Sequence, residues 1–223
     1  MREEGAEGLI EALARNVRPV TPVASLRWQV AMVAALSLGL SFALVEGRGL
    51  RPPGLALVQG PTPFALVALG LTLAGIGLVT AALAYARPGR EGTGRRALAA
   101  SALGLLISVG SASLVLRASA GGGEALFGGV LEIPCVVLSI GLSLPAALLV
   151  TYLAASAAPL RPAATAFLAA CGATAFGTFA AHLTCRTPGA WHVITSHAAT
   201  PLLGGLLMAR PVLRLLRSWT QPA

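Results

Sequence analysis

The chain has 223 residues and contains neither aspartate nor lysine: its 8 acids are all Glu and its 16 bases all Arg. Charged residues make up only 11%, against about 25% in a soluble domain. That is too little polar surface to coat a water-soluble globule, so the bilayer is the expected solvent. The use of Arg in place of Lys suggests a GC-rich coding bias rather than a mechanism. Aromatics are scarce as well, at 5%, and no basic stripe interleaves with them. Direct nucleic-acid binding is therefore not expected despite the net charge of +8. No alternating strand-like periodicity and no internal repeat is visible, which disfavours a barrel. No Asp, Glu, Lys or Arg falls near the middle of any apolar run, where proton-coupled transporters and ion pumps usually carry such groups.

What the sequence does contain is apolar length. Hydrophobic residues make up 56% and the mean hydropathy is +0.79. A spanning helix needs about 20 apolar residues, and six stretches qualify: 28–45, 63–86, 97–116, 133–155, 163–183 and 193–213. Arg210 lies near the end of the last, where its side chain can snorkel to the interface. Dense Gly and Ala, as in "LGLTLAGIGL" at 69–78, allow close helix packing in lipid. The expected fold class is all-α: a polytopic membrane protein, a six-transmembrane-helix bundle. The first span follows a mixed segment with four glutamates, unlike the short basic leader of a cleaved signal peptide. Arginines of alternating polar segments divide 12 to 4, and the positive-inside rule then places both termini in the cytoplasm.

With that topology, "HLTCRTPGAWHVITSH" at 182–197 links spans five and six on the non-cytoplasmic side. It holds all three histidines, His182, His192 and His197, together with Cys185. Cys135, in "LEIPCVVL", opens span four on the same side, three residues after Glu132. His182 precedes Cys185 by three and would share its helix face if the helix ran that far. Three chemistries are open to this group: a disulfide between Cys135 and Cys185, a zinc or copper site, or a thiol sensor of redox or electrophiles. Interfacial residues with no further role are the plain alternative. Cys171, in mid-span, reads as a packed apolar residue, and Trp28 and Trp191 as interface anchors.

The segment before the first span reads as an amphipathic helix over 7–17. Leu9, Leu13 and Val17 fall at i, i+4 and i+8 with Ile10 alongside. Glu3, Glu4, Glu7 and Glu11 load its start, in keeping with the helix dipole. Pro19 and Pro22 close it. A recognition helix that folds in a partner's groove, a helix lying on the membrane and a solvated leader all remain open.

Taken together, six spans, "RPVTPV" ahead of the first, and Cys135 and Cys185 at the outer ends of spans four and five resemble the negative regulator of sigma F family. The resemblance covers mainly residues 13–23 and 134–217. A six-span anti-sigma factor of light-induced carotenoid synthesis has a similar layout. The resemblance implies a bacterial inner-membrane anti-sigma factor, without enzymatic activity or cofactor. Such a protein holds a cytoplasmic extracytoplasmic-function (ECF) sigma factor and releases it on an envelope, metal, redox or light-linked signal. It further implies signal sensing at Cys135 and Cys185, with His182, His192 and His197 as possible accessories. Residues 1–26 would bind the sigma factor through Glu7, Leu9, Ile10, Leu13 and Val17, helped by the loop 87–96. Residues 27–213 would form the membrane domain and 214–223 a cytoplasmic tail. The family's acidic run after the second cysteine is replaced here by "CRTPGAWHV". The rival expectation is a metal- or haem-handling membrane protein using the same His/Cys cluster. Against haem, paired axial histidines usually face each other inside a bundle rather than crowd one rim.

Overall fold

A computed structural model describes residues 8, 11, 12, 14, 15, 23–50, 63–118, 132–157, 159–187 and 190–220. Its six long helices are α1 (Leu26–Arg48), α2 (Pro63–Tyr85), α3 (Glu91–Ala118), α4 (Ile133–Ala155), α5 (Pro162–Thr184) and α6 (Thr200–Thr220). Six spans are long and apolar enough to cross a membrane, the last running from Val193 through α6 to Thr220, as the hydropathy predicts. The helices run alternately between two ends of the bundle. Arg87 is hydrogen-bonded to the Ala24 carbonyl at one end, and Arg186 to the Arg48 carbonyl at the other.

The most enclosed helix is α5. It packs against α1, α2, α4 and α6, and its sequence, rich in Ala, Gly and Thr, explains how four neighbours fit around it. Gly177 of α5 lies so close to α4 that a Cβ there would run into the Ser139 carbonyl oxygen. Gly70 of α2 and Gly104 of α3 meet in the same way, each facing the other's backbone oxygen. Val79, Leu83, Val150, Phe176 and Leu216 fill the core between these crossings. Large apolar side chains such as Phe42, Leu106, Leu148 and Leu206 point outwards, as lipid-facing residues do. Several buried hydroxyls are satisfied locally: Ser37, Ser41, Thr151 and Thr174 each donate to the carbonyl four residues back, which spares them a need for water in the bilayer.

Two expected boundaries shift. The loop assigned to 87–96 is mostly helix, because α3 already starts at Glu91 and the turn is completed by Gly89 at φ 75°. A side chain at that φ is strained, so glycine suits the position. At the far end, α6 continues to Thr220 rather than 213. Its last turns carry Arg214 and Arg217 on one side while Val212 and Leu216 stay buried, an amphipathic continuation of the span.

Of the N-terminal segment, Gly8, Glu11, Ala12, Ala14 and Arg15 are helical, and Arg15 pairs with Glu11 at 2.9 Å. Glu7, Leu9, Ile10, Leu13 and Val17, the expected partner-binding residues, lie outside the described residues.

Candidate functional site

Backbone geometry at the Arg48 end of the bundle gathers the chain's soft side chains. Helix α4 opens with Glu132 before it and Pro134 in its first turn, which places Cys135 on that turn facing α5. Helix α5 ends at Thr184, so Cys185 adopts an extended conformation at φ −69° and ψ 127°. It therefore leaves the helix face it would have shared with His182, and its thiol turns towards α4. The two sulfurs come to 3.6 Å across 50 residues of sequence.

The histidines are delivered by an unusual backbone. After a short helical turn, Ala190–His192, residues Val193–Ala198 form a π-helix. The Ala199 amide reaches back five residues to the Ile194 carbonyl at 2.9 Å. Pro201 has no amide hydrogen for the carbonyl four residues earlier, that of His197, which favours a break in α-register here. The Thr200 hydroxyl donates to the Ser196 carbonyl at 2.8 Å and helps satisfy the interrupted ladder. In an α-helix, positions five apart diverge by about 140° around the axis. The wider π-turn returns them to nearly one face, and His192 and His197 meet with their Nε2 atoms 3.2 Å apart.

The result is a chain of contacts: Cys135 Sγ to Cys185 Sγ at 3.6 Å, Cys185 Sγ to His192 Nε2 at 3.1 Å, and His192 Nε2 to His197 Nε2 at 3.2 Å. All four atoms lie within 4.8 Å of one another. Cys185, His192 and His197 are buried and Cys135 is partly exposed. Hydrogen bonding with Cys135 pushes the Cys185 thiol below its ordinary pKa. His192 and His197 push in the same direction, while burial opposes them.

His182 stands behind this quartet rather than in it. Its ring stacks on Phe64 at 4.5 Å, meets the His197 ring edge-on at 5.1 Å, and places Nε2 3.3 Å from the Phe64 carbonyl. Sequence reading gave the three histidines equal standing; the structure brings two of them to the thiols. It also keeps Glu132 beside the group and adds Thr187 and Ser196. The Glu132 carboxylate accepts the Thr187 hydroxyl at 2.9 Å, and the Glu132 amide donates to Ser196 Oγ at 3.0 Å. These contacts join α4, the link after α5 and the π-helix. Thr187 and Ser196 carry no signal in the sequence that marks them. Beside Cys135 and Cys185, a cavity of about 360 Å³ is lined by Glu132, Leu138, Arg186 and Thr187 among others.

Cys171 is fully buried in mid-span against Gly205 of α6. Trp191 and Trp28 are both substantially exposed, near opposite ends of the bundle.

No curated protein and no solved structure matches the chain. Residues 13–218, however, match the family model described as negative regulator of sigma F. With six spanning-length helices and this match over most of its length, the chain belongs to the negative regulator of sigma F family and acts as a negative regulator of a sigma factor.

Proposed function

We propose that this chain is an inner-membrane anti-sigma factor. It holds an ECF-type sigma factor on the cytoplasmic face and releases it when the Cys135–Cys185 pair receives a signal on the other side. The observation that carries the reading is the 3.6 Å approach of the two thiols at the end of the bundle opposite the N-terminal segment. The 12-to-4 division of arginines supports cytoplasmic termini, which makes the thiol end extracytoplasmic. The protein works by binding and release, with no chemical turnover.

Residues 1–26 supply the sigma-binding surface, with Leu9, Ile10, Leu13 and Val17 as apolar anchors and Glu7 facing a basic sigma surface. Ala24 and Gln29 are gripped by the Arg87 guanidinium, so the root of this segment is tied to the α2–α3 turn. Helix α5 reaches from Cys185 to that end of the bundle and touches α1 directly. A shift of α4 against α5 at the thiols is thereby passed to the helix that carries the tail. A tenfold loss of sigma affinity requires only about 1.4 kcal/mol of coupling.

Deletion of residues 2–24 tests the reading. It should free the sigma factor and raise its transcription constitutively, and unchanged transcription in a strain that retains the membrane protein would overturn it. Replacing Cys135 and Cys185 with Ser should abolish or alter induction without loss of membrane insertion. If induction by every stress is untouched, the thiol pair is not the sensor.

A further inference from the structure

We infer that Cys135, Cys185, His192 and His197 form a four-ligand site for a divalent d10 cation of the zinc type. This deepens the sensor reading by naming its ligand, and it rests on that reading only for the ion's effect on the sigma factor. The binding itself stands on the geometry.

The first argument is distance. A tetrahedral zinc ion with Zn–S of about 2.3 Å and Zn–N of about 2.0–2.1 Å sets edges of about 3.8 Å between sulfurs, 3.6 Å from sulfur to nitrogen and 3.3 Å between nitrogens. The corresponding separations here are 3.6, 3.1 and 3.2 Å. The other edges are no longer than 4.8 Å, so side-chain adjustment of about 1 Å closes the tetrahedron.

The second argument is proton count. His192 Nε2 lies within hydrogen-bond reach of both Cys185 Sγ and His197 Nε2. One N–H can be directed at one of them only. Cys185 Sγ, His192 Nε2 and His197 Nε2, each able to offer a lone pair, therefore converge on one point where a cation can bind all three. On binding, the thiol protons of Cys135 and Cys185 leave to solvent. Two thiolates and a divalent ion then sum to zero charge, which suits a site that is largely buried.

The third argument is construction. The π-helix brings two imidazoles five residues apart onto one face, and interruptions of this kind are frequent at functional sites. Around the quartet, Thr187 holds Glu132 and Glu132 holds Ser196, a buttress that fixes the ligand-bearing segments to one another. The cavity beside Cys135 supplies the access route, with the Glu132 carboxylate on its wall. Soft thiolate with imidazole in a closed four-coordinate set selects zinc and its congeners over calcium or magnesium.

The test uses the reduced full-length chain in detergent, titrated with Co²⁺ as a spectroscopic stand-in. The expected result is one equivalent bound, with the intense visible bands of tetrahedral cobalt and a sulfur-to-cobalt charge-transfer band, all displaced by Zn²⁺. His192→Ala and His197→Ala should each weaken binding at least about tenfold, which is 1.4 kcal/mol. His182→Ala should leave the band positions in place. A readout in the unmodified protein guards against variants that fail to fold: Zn²⁺ should protect Cys135 and Cys185 from alkylation. Absence of tetrahedral bands, or binding indifferent to both His192 and His197, overturns the site. If the ion binds while deletion of residues 2–24 leaves transcription unchanged, the site stands and the anti-sigma mechanism falls. If the deletion frees the sigma factor and no ion binds, the metal site falls alone.

Discussion

Gly177 gives the sharpest test of how the thiol end is held together. It sits where α5 crosses α4, and a Cβ added there would overlap the Ser139 carbonyl oxygen and lie only 3.0 Å from the Ser143 amide nitrogen. Both obstacles are backbone, so neither can swing aside as a flexible side chain would. Gly177→Ala must therefore part the two helices by roughly 1 Å, and overpacking of this kind costs about 1–3 kcal/mol. At about 2–4 °C per kcal/mol for a chain of this size, the melting temperature should fall by roughly 2–12 °C. Gly39→Ala provides the opposite control. Nothing lies within 4 Å of the Cβ built on Gly39 in α1, and removing glycine from a helix interior gains about 0.5–1 kcal/mol. Thermal unfolding of both purified variants in one detergent, read by loss of the monodisperse chromatographic peak, decides the matter. The displacement should also reach the thiols, because Ser139 Oγ donates to the Cys135 carbonyl one turn away at 2.8 Å. If Gly177→Ala melts no earlier than Gly39→Ala, the close crossing is not what orders this end.

Three further outcomes follow from other contacts. Arg87→Ala strips the partner from Gln29, which is 1% exposed, and should cost about 1–3 kcal/mol in the same melting assay; Gln29→Leu combined with Arg87→Met should recover most of it, since apolar replacement of both partners is nearly neutral. A thiol oxidant such as diamide should close a Cys135–Cys185 disulfide within one chain, because the sulfurs are already 3.6 Å apart; a linked peptide in mass spectrometry confirms it, and only intermolecular products refute it. Cys171 is wholly buried, so a Cys135→Ser, Cys185→Ser protein should resist maleimide until it is unfolded, whereas the unmodified protein labels at Cys135.

The spans were legible because hydropathy summed over 20 residues overrides local detail, and Ile133–Ala155 is read from sequence with the same bounds the helix has. The last span was read short because an apolar run ends where Arg210 begins to alternate with leucines, while a helix can continue with a wet face to Thr220. The pairing of Cys135 with Cys185 was approachable from topology alone, since both fall at one end of neighbouring spans. The pairing of His192 with His197 was not. Five-residue spacing separates side chains in an α-helix, and only the π-turn ahead of Pro201 rejoins them. The exclusion of His182 depends likewise on a backbone detail, the extended conformation of Cys185.

The π-helix carries a consequence for how such a site can arise or vanish. Between fixed ends, a π-turn accommodates one residue more than the α-turn it replaces. Loss of a single codon within 193–198 would let the segment relax into regular α-helix, leave every span long enough to cross the bilayer, and swing the two imidazoles apart. A chain of this architecture can thus gain or lose its quartet by one insertion or deletion, with no change at either cysteine. Comparison of loop length at this point, rather than of the cysteines, would then separate chains that keep the imidazole pair from chains that have lost it.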